Sequence, residues 1–182
     1  APELRSALFR FVIGGHDVRE DSCLRETTMA GQIETRLAEL GITLPEAPVP
    51  AANYVPTVRT GNLLYISGQV SKDADGLIVG KLGDGFSIED AQAAARVSGL
   101  NVIAQAKAAC DGDLDRVTRI VKLLGFVNST PDFEQHPQVV NGASDLMVEV
   151  FGEKGRHARS AVGTSSLPFG IAVEVEAVFE VE

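Results

Sequence analysis

The chain closes with 156-RHARSAVGTSSLPFGIAVEVEAVFEVE-182, and the fold turns on how this stretch is read. Val173, Val175, Ala177, Phe179 and Val181 alternate with Glu174, Glu176, Glu180 and Glu182. A period of two puts each set on its own face of a strand, the apolar set inward. A second extended run at 159–166 precedes it, and the turn residues Leu167-Pro168-Phe169-Gly170 join the two. Laid side by side, strands at 159–166 and 171–181 bring Arg159 and Glu174 to the same end of a sheet. That pairing is either a site or a surface ion pair.

Working outward, 55-VPTVRTGNLLYISGQVS-71 reads as a hairpin around Gly61-Asn62, a pair that tolerates positive φ. Residues 72–85 are loop-rich, punctuated by Gly76, Gly80, Gly83 and Gly85. Ser87 opens a helix with Asp90 three residues on, close to a capping box. The helix runs through 87-SIEDAQAAARVSGLNVIAQAKAAC-110 and stops by Gly112, and its alanines imply close approach to a sheet. A strand rich in Val, Ile, Leu and Phe follows within 113–129. A second long helix starts near His136-Pro137 and ends by Gly152. The order is strand, strand, helix, strand, helix, strand, strand after a helical lead-in. This predicts an α+β fold, a mixed sheet with two main helices packed on one face. The other face carries apolar side chains with no internal cover, so we expect a homo-oligomer that closes it.

Composition narrows the function. The 182 residues carry a net charge of −9, with 45% hydrophobic and 23% charged residues. Nucleic-acid affinity comes largely from Lys and Arg neutralising phosphates, so this balance argues against a nucleic-acid partner. Tryptophan is absent and only two tyrosines are present, which removes a stacking platform for single strands. No apolar run approaches the roughly 20 residues that span a bilayer, so no membrane partner is expected. Two cysteines, Cys23 and Cys110, are too few for a disulfide framework, and a cytoplasmic location is the simplest expectation. There is no Cys/His cluster for a metal, no phosphate-binding loop and no dinucleotide fingerprint, so no cofactor is expected.

The first methionine is Met29, and the stretch from it to Pro45 reads as a natural start, with a short helix capped by Gly41. Residues 1–28 read as an extension or tag, 29–49 as an N-terminal helix and Pro-rich linker, and 50–182 as the functional domain.

Candidate chemistry gathers late in the chain. Arg159 precedes a strand and offers a planar fork suited to a carboxylate. Glu174 is a carboxylate able to orient or deprotonate water. His157 shares the face of Arg159 in an extended chain, although a loop histidine is usually only solvated. Ser67-Gly68-Gln69 ends a strand, where glycine admits close approach of a ligand to the backbone.

Three blocks, GNLLYISGQV, VVNGASDLMVEVFG and ARSAVGTSSLPFGIAVEVEAVF, together resemble the RidA/YjgF family over roughly residues 50–182. They stand in the family's order at nearly its separations. The resemblance implies a chorismate-mutase-like fold, a homotrimer with a central sheet-lined core, and ligand sites in clefts between subunits. It implies that Arg159 binds a substrate carboxylate and that Glu174 positions water. It implies that Tyr54, Ser67, Gly68 and Asn141 line the site, together with a backbone carbonyl near Ala161. The chain departs from the pattern in several places. Ala161 stands where many relatives have cysteine, and Ala52-Asn53 replaces a Gly-Pro. One extra residue lies between Asn141 and Arg159, and 163–166 is more polar. The implied activity is hydrolysis of 2-enamino and 2-imino acids to 2-oxo acids and ammonia, without cofactor. Two alternatives remain at this point: a non-catalytic carboxylate-metabolite sensor, and the RNA cleavage that gave the family an older name.

Overall fold

A computed structural model describes residues 31–49 and 53–182. The reading of 1–28 as an extension, and Cys23 with it, lies outside these residues. The elements are α1 (Gln32–Glu39), β1 (Thr57–Thr60), β2 (Leu63–Val70), β3 (Lys72–Asp73), β4 (Gly76–Leu77) and α2 (Ile88–Ala109). They continue with β5 (Val117–Asn128), α3 (His136–Phe151), β6 (Ala158–Thr164) and β7 (Val173–Val181). The five long strands form one sheet in the order β1-β2-β7-β5-β6. All neighbours are antiparallel except β5 and β6, which run parallel with α3 as their crossover. The α+β architecture follows the expected element order.

Local chemistry sets the boundaries. Ser87 Oγ accepts from Asp90 N–H at 3.0 Å and donates to the Asp90 carboxylate at 2.7 Å, which starts α2. Gly61, at φ 57°, turns β1 into β2. Asp115 accepts from the N–H groups of Gln32 and Ile33, which caps α1 from a distant loop. The segment after α1 is pinned, because Gln105 Nε2 donates to Pro48 O at 2.6 Å. Among the described residues, no helix is long and apolar enough to cross a membrane.

Three expectations need correction. The two closing strands are not neighbours, because β5 lies between β6 and β7. The α3 crossover returns the chain parallel to β5 on its outer side, and alternation alone reports a face, never a neighbour. The 72–85 loop holds a small hairpin, with Asp73 Oδ1 accepting from the Asp75 and Gly76 N–H groups. The face away from the helices is mixed rather than apolar. Val58, Tyr65, Val178, Lys122 and Ala158 form one cross-strand row on it, and Val70, Glu174, Phe126 and Val162 another. Carboxylates thus interrupt an apolar surface on which Val58 is 53% and Tyr65 45% exposed.

The core lies between the sheet and α2–α3. Ile103, Leu123, Leu146, Met147 and Phe179 are fully buried there. Cys110 is buried as expected, and burial raises its thiol pKa. The two helices meet closely, because a Cβ on Gly142 would collide with the carbonyl of Gln92. Helices at such a contact have no room to yield without moving apart.

Gly142→Ala should therefore destabilise the fold by about 1–3 kcal/mol, the usual cost of overpacking. Urea denaturation checks this, with the midpoint falling and the slope unchanged.

Candidate functional site

Arg159 sits on β6 opposite Leu123, with its side chain on the helix-covered face. Its Nη1 donates twice, to Asn141 Oδ1 at 2.8 Å and to Ser144 Oγ at 3.1 Å. Asn141 and Ser144 stand three residues apart on α3, the spacing that shares a helix face. Both acceptors are neutral. Among the described residues Arg159 has no carboxylate partner and no acceptor for Nε or Nη2. The half-buried guanidinium therefore keeps its charge and its side-on fork of two N–H groups, the arrangement that grips a carboxylate bidentately.

His157 packs beside this group. Its Nδ1 lies 2.6 Å from Gly155 O, and its Nε2 lies 3.0 Å from Ser144 Oγ. Burial, and then the Arg159 charge, lower its pKa, against the backbone carbonyl that raises it. A cleft of about 260 Å³ opens here, lined by Ser144, Asp145, Val148, Arg156, His157 and Arg159. Ala161 lies two residues along β6 on the same face, across from Gly125. It packs against the core.

Glu174 is elsewhere. It projects from β7 on the uncovered face, between Val70 and Phe126 in register. A Cβ on Gly68 would collide with its carboxylate, so Gly68 leaves the space that Glu174 fills. The Ser67 hydroxyl and N–H both donate to Pro56 O at 3.0 Å, which ties β2 to the chain ahead of β1. A cleft of about 220 Å³ lies alongside, bordered by Ser67, Tyr65 and Glu176. Tyr54 stands 52% exposed three residues before β1. Burial, and then the neighbouring Glu176, raise the pKa of Glu174.

The predicted residues thus fall into two groups on opposite faces of one sheet. Arg159, Asn141 and Ala161 make one, and Glu174, Gly68 and Ser67 the other. Leu123 and Phe126 mark their heights on β5, so backbone positions differ by about 10 Å along the strand and about 10 Å across two strand spacings. Within one chain Arg159 and Glu174 do not meet, contrary to the adjacency expected of the closing strands.

Ser144 was missed by sequence reasoning, although its spacing from Asn141 carried the signal. His157 was read as a solvated loop residue, and the structure gives it two hydrogen bonds. Other groupings are structural. The carboxylates of Glu34, Asp113 and Asp115 lie within 4.8 Å of one another, but their oxygens accept from the backbone N–H groups of Gln32, Ile33, Leu114 and Asp115. Ser129 Oγ and His136 Nε2, 3.1 Å apart, tie the end of β5 to the first turn of α3. A groove of about 610 Å³ runs along α1 beside the Glu34–Lys107 ion pair.

Comparisons with known proteins bear on the family and the fold. The family described as "YjgF/chorismate mutase-like, putative endoribonuclease" matches residues 34–179. Protein TCP17 of Trypanosoma cruzi is 52% identical over 153 residues, 83% of this chain and 95% of that protein. A 2-iminobutanoate/2-iminopropanoate deaminase of Dermatophagoides farinae is 29% identical over 78% of this chain and 95% of its own length. The crystal structure of a protein of unknown function from Agrobacterium tumefaciens superposes with a TM-score of 0.75 at 48% identity, covering 82% of this chain and 93% of that one.

The site electrostatics make a direct prediction. Glu174 should titrate above the ordinary glutamate value of 4.5, and Glu176→Gln should move it part of the way back. Carboxyl NMR titration reads both. A raised folded pKa contributes stability below about pH 4.5 that is lost as pH rises through the folded midpoint. Glu174→Gln should remove that fall, seen by urea denaturation at pH 4 and pH 7.

Proposed function

The chain belongs to the RidA/YjgF family, and from that premise we propose that it hydrolyses small 2-imino acids, the tautomers of 2-enamino acids, to 2-oxo acids and ammonia. The observation that carries the reading is Arg159. It is a half-buried cation held by two neutral acceptors, with its side-on fork left for a carboxylate. The named activity of the Dermatophagoides farinae relative supports the substrate class.

In this reading the substrate carboxylate pairs with Nε and Nη2 of Arg159, which fixes C2 in the cleft. Glu174 takes a proton from water as the oxygen adds to C2 and passes it to the imine nitrogen, giving a 2-amino-2-hydroxy acid. It then carries the hydroxyl proton to the same nitrogen, the C2–nitrogen bond breaks, ammonia leaves, and the C2–oxygen double bond forms. A carboxylate whose pKa is raised by burial is suited to both transfers near neutral pH. The imine carbon is already electrophilic, so position and proton transfer are the protein's contributions. Because one chain keeps Arg159 and Glu174 on opposite faces, the site is completed by Glu174 from a second copy. We assign the assembly as a homotrimer with the uncovered sheet faces turned inward. The exposed Val58, Tyr65 and Val162 on that face support such an interface.

One observation favours a second reading. The clamp is complete within a single chain, while the Glu174 group is not. A non-catalytic sensor of small carboxylates needs the clamp alone. RNA cleavage is the weakest reading, because a chain of net charge −9 repels a phosphate backbone.

The test generates the imine in situ with a serine or threonine dehydratase and follows its decay. Arg159→Ala should lower kcat/KM by about 100-fold or more, the loss of two charge-assisted hydrogen bonds. Glu174→Ala should abolish the acceleration while leaving 2-oxobutanoate binding within a few-fold. Tight binding with no acceleration by the parent protein would select the sensor.

A further inference from the structure

The polarity of the hydrogen bonds around Arg159 is fixed by donor chemistry. Gly155 O can only accept, so His157 Nδ1 carries a hydrogen and donates to it. Arg159 can only donate, so the Ser144 oxygen accepts from Nη1. In the neutral ring Nδ1 holds the one hydrogen, so Nε2 can only accept, and among the described residues it is the one partner in reach of the Ser144 proton. The result is a one-way chain: Arg159 to Ser144, Ser144 to His157, His157 to the Gly155 carbonyl. It requires a neutral imidazole in the Nδ1–H tautomer.

We propose that Ser144 and His157 are positioning residues, a relay that holds the Arg159 guanidinium in the orientation that grips a carboxylate. This rests on the carboxylate clamp proposed above and adds two residues to it. Ser144 alone would leave its hydroxyl free to rotate, and a rotated hydroxyl presents a proton to Nη1 rather than a lone pair. His157 removes that state by taking the proton. The backbone carbonyl of Gly155 sets the ring in turn, so the guanidinium is referred to the main chain through two side chains.

The surroundings favour the neutral ring. Arg159 lies on one side, and Arg156 and Asp145 share the cleft wall. Arg156 is itself paired with Glu153 at 3.0 Å. Burial, and then Arg159, hold the His157 pKa down. A relay of neutral groups also leaves the guanidinium charge undiminished for the ligand.

A relay that acts on the bound carboxylate in ground state and transition state alike moves KM and not kcat. The experiment measures 2-oxobutanoate affinity by calorimetry on the full chain, together with imine-hydrolysis kinetics. His157→Leu and Ser144→Ala should each weaken binding about threefold to tenfold, the loss of about one net hydrogen bond. Their kcat should stay within twofold. His157→Gln, whose amide oxygen reaches the Nε2 position, should recover affinity to within twofold of the parent. On the unmutated protein at pH 7.5, imidazole ¹⁵N shifts should show His157 as Nδ1–H with Nε2 as acceptor, a readout that needs no variant to fold. An Nε2–H tautomer overturns the proposal, as does parental affinity in His157→Leu when Arg159→Ala has lost binding. Parental affinity in Arg159→Ala would instead overturn the clamp itself.

Discussion

Arg159 depends on where α3 sits, and α3 sits where glycine lets it. Gly142 meets the carbonyl of Gln92 on α2, and Gly125 on β5 receives Val140. Asn141 lies between those two contacts in sequence. A helix pressed against its neighbour on one side and the sheet on the other has little freedom to roll. Asn141 and Ser144 therefore arrive over β6 at a fixed height, within 2.8 and 3.1 Å of one guanidinium nitrogen. The geometry of a polar site is set here by close packing at the residues on either side of Asn141.

The choice of neutral acceptors is the second constraint. A buried or half-buried arginine is usually satisfied by a carboxylate, which cancels its charge. Asn141 and Ser144 satisfy two of its hydrogens and cancel nothing. In a chain of net charge −9, this leaves Arg159 as an uncancelled positive group within its cleft. A small anion passing the surface is repelled by the whole and held by one point, because field strength within a low-dielectric cleft outweighs distant, solvent-screened charges.

Much of this was legible in residues. The Ser87–Asp90 cap, the Gly61-Asn62 turn and the bounds of α3 all have local chemistry, and they lie where the sequence places them. Strand order had no local signal. The alternation in β7 assigns faces, yet whether β6 or β5 lies beside it is decided by the α3 crossover and by packing across the whole layer. The same gap explains His157. Two residues before Arg159, it is easily counted as a solvated loop residue, and only the fold brings Ser144 from α3 against it. Family resemblance pointed to Arg159, Asn141 and Glu174, and it gave no reason to look at positions 144 and 157.

The separation of Arg159 from Glu174 bears on how the proposed chemistry is controlled. Glu174 lies beside Phe126 and Val70 on a face that one chain leaves open. Its pKa is already raised there by partial burial and by Glu176. Covering that face with a second copy removes water from the same carboxylate and raises it further, toward the range where it both accepts and returns a proton at neutral pH. Assembly would thus bring the base to the clamp and tune it in a single step. The proposed carboxylate binding would need no such event, since Arg159, Asn141, Ser144 and His157 are all supplied by one chain. In the proposed reaction, binding and hydrolysis would therefore rest on different parts of the fold, the first on the seating of α3 and the second on closure of the sheet face.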